Sequence, residues 1–125
     1  MKPPTFTGLP FFVYPVRDMT RARAFYREVL GLRETANWRD EWIEFDVGSG
    51  TLALSTDIEG AVPGSKGGAA ALEAPNYEEA VAWLKHHGVR FCQEPVETNV
   101  CRFGRFEDPD GNHLVLHRIH DQPTS

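Results

Sequence analysis

The sequence predicts an α+β fold of two tandem βαβββ modules forming a curved, cup-like sheet. Three observations carry this. A strand–helix–three-strand pattern occurs twice, with the helix-start candidates Asp18 and Asn76 about 58 positions apart and the helix-stop candidates Gly31 and Gly88 about 57 apart. The helical segments carry apolar residues at helical spacing and the strand segments alternate. A Gly-, Pro- and Ser-rich stretch separates the halves. Neither half has enough surface to bury a sheet face alone, so the two are expected to fold as one domain over 1–125. Module one covers about 8–57, a linker about 58–68, and module two about 69–120.

The opening run Phe11-Phe12-Val13-Tyr14-Pro15-Val16 is aromatic and β-branched and reads as a strand, with Pro15 placing it at a sheet edge. Asp18 can accept orphan backbone N–H groups at a helix start. Met19, Ala22, Phe25, Tyr26, Val29 and Leu30 then form one apolar stripe, and Gly31 ends the helix. Strands are expected over about 32–37, 41–47 and 51–56. In the second half, 69–74 reads as a strand. Asn76 with Glu79 reads as a capping box, and Tyr77, Ala80, Val81 and Leu84 as a helical stripe closed by Gly88. Strands follow over 89–93, 100–107 and 113–118, the last two joined by the turn Asp108-Pro109-Asp110-Gly111-Asn112.

Bulk properties narrow the function. The chain has 125 residues and a net charge of −5. That charge disfavours phosphate-backbone binding, which needs Lys and Arg to displace counterions. No apolar run approaches the roughly 20 residues that span a bilayer, and no leader pattern opens the chain. A cytoplasmic location is therefore expected, with no nucleic-acid or membrane partner. Cys92 and Cys101 are too few for a disulfide scaffold and read as reduced cysteines in or near strands.

Two segments carry a family resemblance. Val16-Arg17-Asp18-Met19, Ala24-Phe25-Tyr26 and Val29-Leu30-Gly31-Leu32 resemble the opening signature of the vicinal-oxygen-chelate superfamily, which spans glyoxalases, bleomycin resistance proteins and dioxygenases. Glu107-Asp108-Pro109-Asp110-Gly111-Asn112 resembles its closing signature, and the duplicated pattern matches over roughly residues 8–120. In metal-dependent relatives four cup-facing side chains hold a divalent ion. The resemblance places those positions at Phe11, Ala53, Ala69 and Val115, none of which offers a metal a lone pair. A divergent member lacking the metal ligands is thus implied. No metal and no cofactor are expected.

An apolar floor suits a flat, partly apolar organic ligand. The expected function is metal-independent small-molecule binding of the bleomycin-resistance type, in a homodimer. Whether the cup closes within one chain or across two is open, as is whether any reaction is catalysed. Alternation puts Trp42, Glu44, Asp46, His113 and His117 on the cup side. The expected ligand set is Phe11, Val13, Trp42, Glu44, Ala53, Ala69, Arg102, Val115 and His117, with Glu44 and His117 as a polar pair and Trp38 as a further wall. Arg102 and Arg105 fall on opposite faces, and either is a candidate carboxylate partner. Two other readings remain: a metal-dependent lyase or dioxygenase with ligands displaced to Glu44, Asp46, His113 and His117, and an interaction protein whose cup is filled by its own aromatics.

Overall fold

The computed structural model describes residues 2–5, 7–64 and 67–120. Its elements run β1 (Phe12–Pro15), α1 (Met19–Ala24) continued by a π-helical turn (Phe25–Val29), β2 (Arg33–Trp38), β3 (Trp42–Asp46), β4 (Thr51–Ser55), β5 (Ala70–Glu73), α2 (Tyr77–His86), β6 (Phe91–Glu97), β7 (Cys101–Glu107) and β8 (His113–Ile119). Sheet one has the order β1-β4-β3-β2 and sheet two the order β5-β8-β7-β6. The duplication is therefore topological as well as sequential. In each sheet the opening strand lies at an edge, parallel to the last strand.

Local chemistry explains most boundaries. The Asp18 carboxylate accepts from the Arg21 N–H at 3.2 Å, as its capping role requires. Gly31, with φ +69°, turns the chain out of the first helix, while Leu30 and Leu32 N–H groups bond back to Phe25 and Tyr26. The β2–β3 hairpin turns through Arg39 and Asp40, both at φ 56°, in the left-handed region that tight hairpins demand. Asn37 holds them, exchanging hydrogen bonds with Asp40 at 2.8 and 2.9 Å. The second helix departs from the expected capping box, because the Asn76 side chain makes no cap hydrogen bond. Burial fixes that start instead. Tyr77 is fully buried and donates its hydroxyl to the Leu116 carbonyl at 3.2 Å, while Glu78 and Glu79 face the positive end of the helix dipole.

One core joins the modules. Tyr14, Ile43, Phe45, Leu52 and Leu54 of sheet one cluster with Tyr26 of the first helix, Tyr77 and Leu84 of α2, and Phe106, Leu114 and Leu116 of sheet two. All the sheet residues among these lie on the helix-bearing faces. The helical segments also meet directly, Trp83 Nε1 donating to the Val29 carbonyl at 2.7 Å. Because both sheets turn their helix-bearing faces toward this shared core, their other faces lie away from it.

Buried polar groups lock the junction. The Asp108 carboxylate accepts from the Asp110 and Asn112 N–H groups at 2.9 and 2.8 Å, from Asn112 Nδ2 at 2.9 Å, and from the Tyr26 hydroxyl of the other module at 3.0 Å. Asn112, fully buried, also donates to the Pro15 carbonyl and accepts from the Gly64 N–H. Gly64 has φ +80°, and a Cβ there would sit 2.6 Å from the Asp110 carbonyl oxygen, so only glycine fits. Burial pushes the Asp108 carboxyl above its usual range despite these donors, and pushes the Tyr26 hydroxyl well up. Tyr14 makes the second bridge, donating to the His113 carbonyl and accepting from the Ala70 N–H, both at 2.6 Å.

Burial raises the Tyr14 hydroxyl to about 12. Its ionised form is thus disfavoured in the folded state, so its contribution is complete below about pH 10 and lost as pH climbs toward 12. Tyr14→Phe is expected to cost about 1–3 kcal/mol at pH 7, because two buried partners lose their bond. In urea unfolding, the gap between native protein and variant should narrow above pH 10. An unchanged gap would show that the hydroxyl does not bridge the modules.

Candidate functional site

The outward face of sheet one is assembled by register. Val13 lies opposite Ala53, and Ala53 opposite Glu44. Ala53 is completely buried beneath its neighbours, whereas Val13, Trp42 and Glu44 are half-buried. Phe11 precedes β1 and meets Trp42 edge-on, with ring centroids 5.3 Å apart, yet 44% of it stays exposed. The Trp42 indole N–H donates to Glu44 at 2.9 Å, which fixes both side chains. Trp38, opposite Trp42 across the hairpin, is exposed and extends this aromatic surface.

The outward face of sheet two follows the same plan. Val115 lies between Ala71 and Arg105, and His117 between Glu73 and Phe103. Ala69 and Ala71 are exposed, so this surface is shallow and open near β5. His117 Nδ1 is 2.5 Å from Glu73 Oε1, while Glu73 Oε2 accepts from the Ile119 N–H at 2.7 Å. The His117 hydrogen bond, with help from that N–H, holds the Glu73 carboxyl below its usual range.

Two expectations are corrected here. Within one chain Glu44 and His117 do not pair: they lie on different sheets, and each is bonded to a neighbour within its own sheet, Glu44 to Trp42 and His117 to Glu73. Arg102 does not face the ligand surface. It sits opposite Arg118 on the helix-bearing face, forms an ion pair with Glu78, lies 3.7 Å from Glu97, and stacks its guanidinium 5.2 Å from the Tyr77 ring. The outward arginine of β7 is Arg105, which is exposed. Sequence reasoning also missed Glu73, the partner of His117, because strand pairing between β5 and β8 is a long-range fact.

The positions that the family resemblance assigns to metal ligands, Phe11, Ala53, Ala69 and Val115, carry no donor, and neither do Val13 and Ala71 beside them in register. The residues present do not fit an ion there. The displaced set fares no better. Glu44 and Asp46 belong to sheet one, with Asp46 held by Arg33 at 3.2 Å, and His113 and His117 belong to sheet two. A large cavity of about 650 Å³ lies elsewhere, between the modules on the helix side, bordered by Phe12, Leu30, Leu52, Leu72, Trp83 and Leu116. None of the expected ligand residues lines it.

The contrast between the two arginines is measurable. Arg102→Ala should lower stability by about 0.5–1.5 kcal/mol through its lost ring stacking and ion pairs. Arg105→Ala should stay within about 0.5 kcal/mol of the parent. Equal losses in chemical denaturation would contradict the facing assigned here.

Comparison with known proteins fits this architecture. The family model described as the Glyoxalase/Bleomycin resistance protein/Dioxygenase superfamily matches residues 8–116. Among solved structures, the antibiotic-binding protein TnmS3 from Streptomyces sp. CB03234 is 27% identical, with a TM-score of 0.81 over 92% of this chain and 98% of that one. A glyoxalase/bleomycin resistance protein from the same organism is 29% identical, with a TM-score of 0.74 over 85% and 96%. A lactoylglutathione lyase from Agrobacterium tumefaciens, at 20% identity and a TM-score of 0.72 over 94% and 96%, shares the fold. A search of curated proteins finds no match. No helix among the described residues is long and apolar enough to cross a membrane. With 109 of its 125 residues matched and both modules in place, the chain belongs to the glyoxalase/bleomycin resistance protein/dioxygenase superfamily.

Proposed function

We propose that this protein binds a flat, partly apolar organic molecule, with no metal at the family's four ligand positions, in cups built by a homodimer. The observation that carries the reading is chemical. Phe11, Ala53, Ala69 and Val115 carry no metal donor, and Phe11 and Ala69 stay exposed while Ala53 lies beneath its neighbours. Phe11 and Trp42 supply an aromatic wall, and Glu44, Arg105 and the His117–Glu73 pair supply polar handles at its margin. Pockets for small molecules commonly combine an apolar lining with a few fixed polar groups.

The dimer follows from the outward-facing sheets. A single chain offers two half-cups that cannot meet, whereas sheet one of one protomer set against sheet two of another encloses a cavity. Exposed Phe11 and Trp38 favour such burial over permanent contact with water. The antibiotic-binding neighbour at 27% identity supports sequestration as the role. The reading of a cup filled by its own aromatics has the Phe11–Trp42 contact in its favour, but exposed Phe11, Ala69 and Ala71 weigh against it.

Two planar aromatic probes test this, the anionic 8-anilinonaphthalene-1-sulfonate and the cationic 9-aminoacridine. At least one should bind saturably, quench tryptophan fluorescence, and saturate at one probe per protomer. Trp42→Ala, or Ala69→Trp to block the floor, should weaken binding at least about 10-fold, or ~1.4 kcal/mol. Saturable binding untouched by both substitutions would place the site elsewhere and sink the proposal.

A further inference from the structure

Three side chains on sheet two lie together at the end of β7 and β8 beside the Asp108–Asn112 turn, with His113 two residues from Val115. Glu107 ends β7 and His113 begins β8; they are cross-strand partners flanking the Asp108–Asn112 turn. Cys92 lies in β6 where the β6–β7 register shifts between Phe91 and Gln93. That irregularity departs from strict alternation and brings the thiol to the same end of the sheet. One ligand-type atom from each residue, the Cys92 sulfur, a Glu107 carboxylate oxygen and a His113 ring nitrogen, lies within 4.8 Å of the other two. His113 Nε2 is 3.6 Å from Glu107 Oε1, beyond hydrogen-bond distance.

The decisive feature is that His113 Nε2 is buried and has no hydrogen-bond partner among the described residues. A buried polar atom left unpaired is costly, and in a native protein it calls for a partner. The geometry points to a divalent zinc site formed by Cys92, Glu107 and His113. Zinc accepts sulfur, nitrogen and oxygen donors at about 2.0–2.3 Å in a tetrahedron, so neighbouring donors end about 3.3–3.8 Å apart. The Glu107–His113 distance of 3.6 Å already matches that spacing, and the Cys92 sulfur lies within 4.8 Å of both. The thiolate selects against Mg²⁺ and Ca²⁺, which prefer all-oxygen shells. Cys92 is exposed, which gives the ion an entry route and leaves the fourth position to water. On binding, the thiol proton passes to solvent and the sulfur–zinc bond forms, with no change of oxidation state. The ion would tie β6, β7 and β8 together beside the turn that carries Asp108. This inference does not depend on what the cup binds.

Cobalt reports the site directly. The reduced full-length chain, stripped of metal, is titrated with Co²⁺. The expected result is a saturable near-ultraviolet thiolate-to-cobalt charge-transfer band at one equivalent, displaced by Zn²⁺. Cys92→Ser should abolish the band, Cys101→Ser should keep it, and Glu107→Gln should weaken affinity by about 10–100-fold. Imidazole nitrogen resonances of His113 should shift on adding Zn²⁺ to the native protein, a readout that needs no substitution. A folded apoprotein with no such band, or a band that survives Cys92→Ser, would overturn the assignment.

Discussion

The buried Asp108 carboxylate is the point on which the architecture turns. It closes its own turn through backbone N–H groups and, through Tyr26, reaches the helix of the other module. A buried carboxylate survives only if its lone pairs are met, so breaking the contact between modules leaves an expensive group unpaired. Asn112 and Gly64 enforce the same union from the linker side. With the helix-bearing faces locked together, the remaining face of each sheet lies on the far side from the shared core.

That constraint shapes the reading of function. On the proposed reading each outward face is a half-site, and the positions that the family resemblance assigns to an ion carry two alanines, a valine and a phenylalanine. Loss of donors alone would be compatible with a decayed enzyme. The faces have not closed over, however: Ala69 and Ala71 remain open and Phe11 stands against Trp42 with part of its ring exposed. The polar groups of each face are tied to strand neighbours, which pre-organises them for a ligand and removes them as free acid–base pairs. The cavity between the modules is lined mainly from the core side, reaches Ala71 and Glu73 at the edge of sheet two, and touches none of the expected ligand residues.

Much of this was legible in the sequence, because the signals were local. Asp18, Gly31, Gly88 and the Asp-Pro-Asp-Gly turn punctuate the chain, and alternation assigned Trp42, Glu44, Val115 and His117 to the outward faces. What failed depended on long-range pairing. Glu44 and His117 fall on different sheets, and their actual partners, Trp42 and Glu73, emerge only from side-chain contacts and the β5–β8 pairing. The choice between Arg102 and Arg105 needed the β7–β8 register, and the adjoining β6–β7 pairing carries two shifts that alternation cannot foresee. The same shifts hid Cys92 beside Glu107 and His113. Asn76 does occupy the N-cap position, its carbonyl accepting from the Ala80 N–H at 3.0 Å, but its side chain makes no cap hydrogen bond, which composition alone could not foresee.

The central claim is that a ligand cup combines sheet one of one protomer with sheet two of another. Subunit complementation measures this most directly. Trp42→Ala damages sheet one and Ala69→Trp damages sheet two, so each variant alone has only defective cups. When the two are mixed and allowed to exchange subunits, each heterodimer should regain one intact cup from its two undamaged faces. Probe binding at native affinity, with half the native capacity in the heterodimer, is the predicted result. Confirmed subunit exchange with no recovered binding would mean that the cup lies within a single chain, and the account would fail.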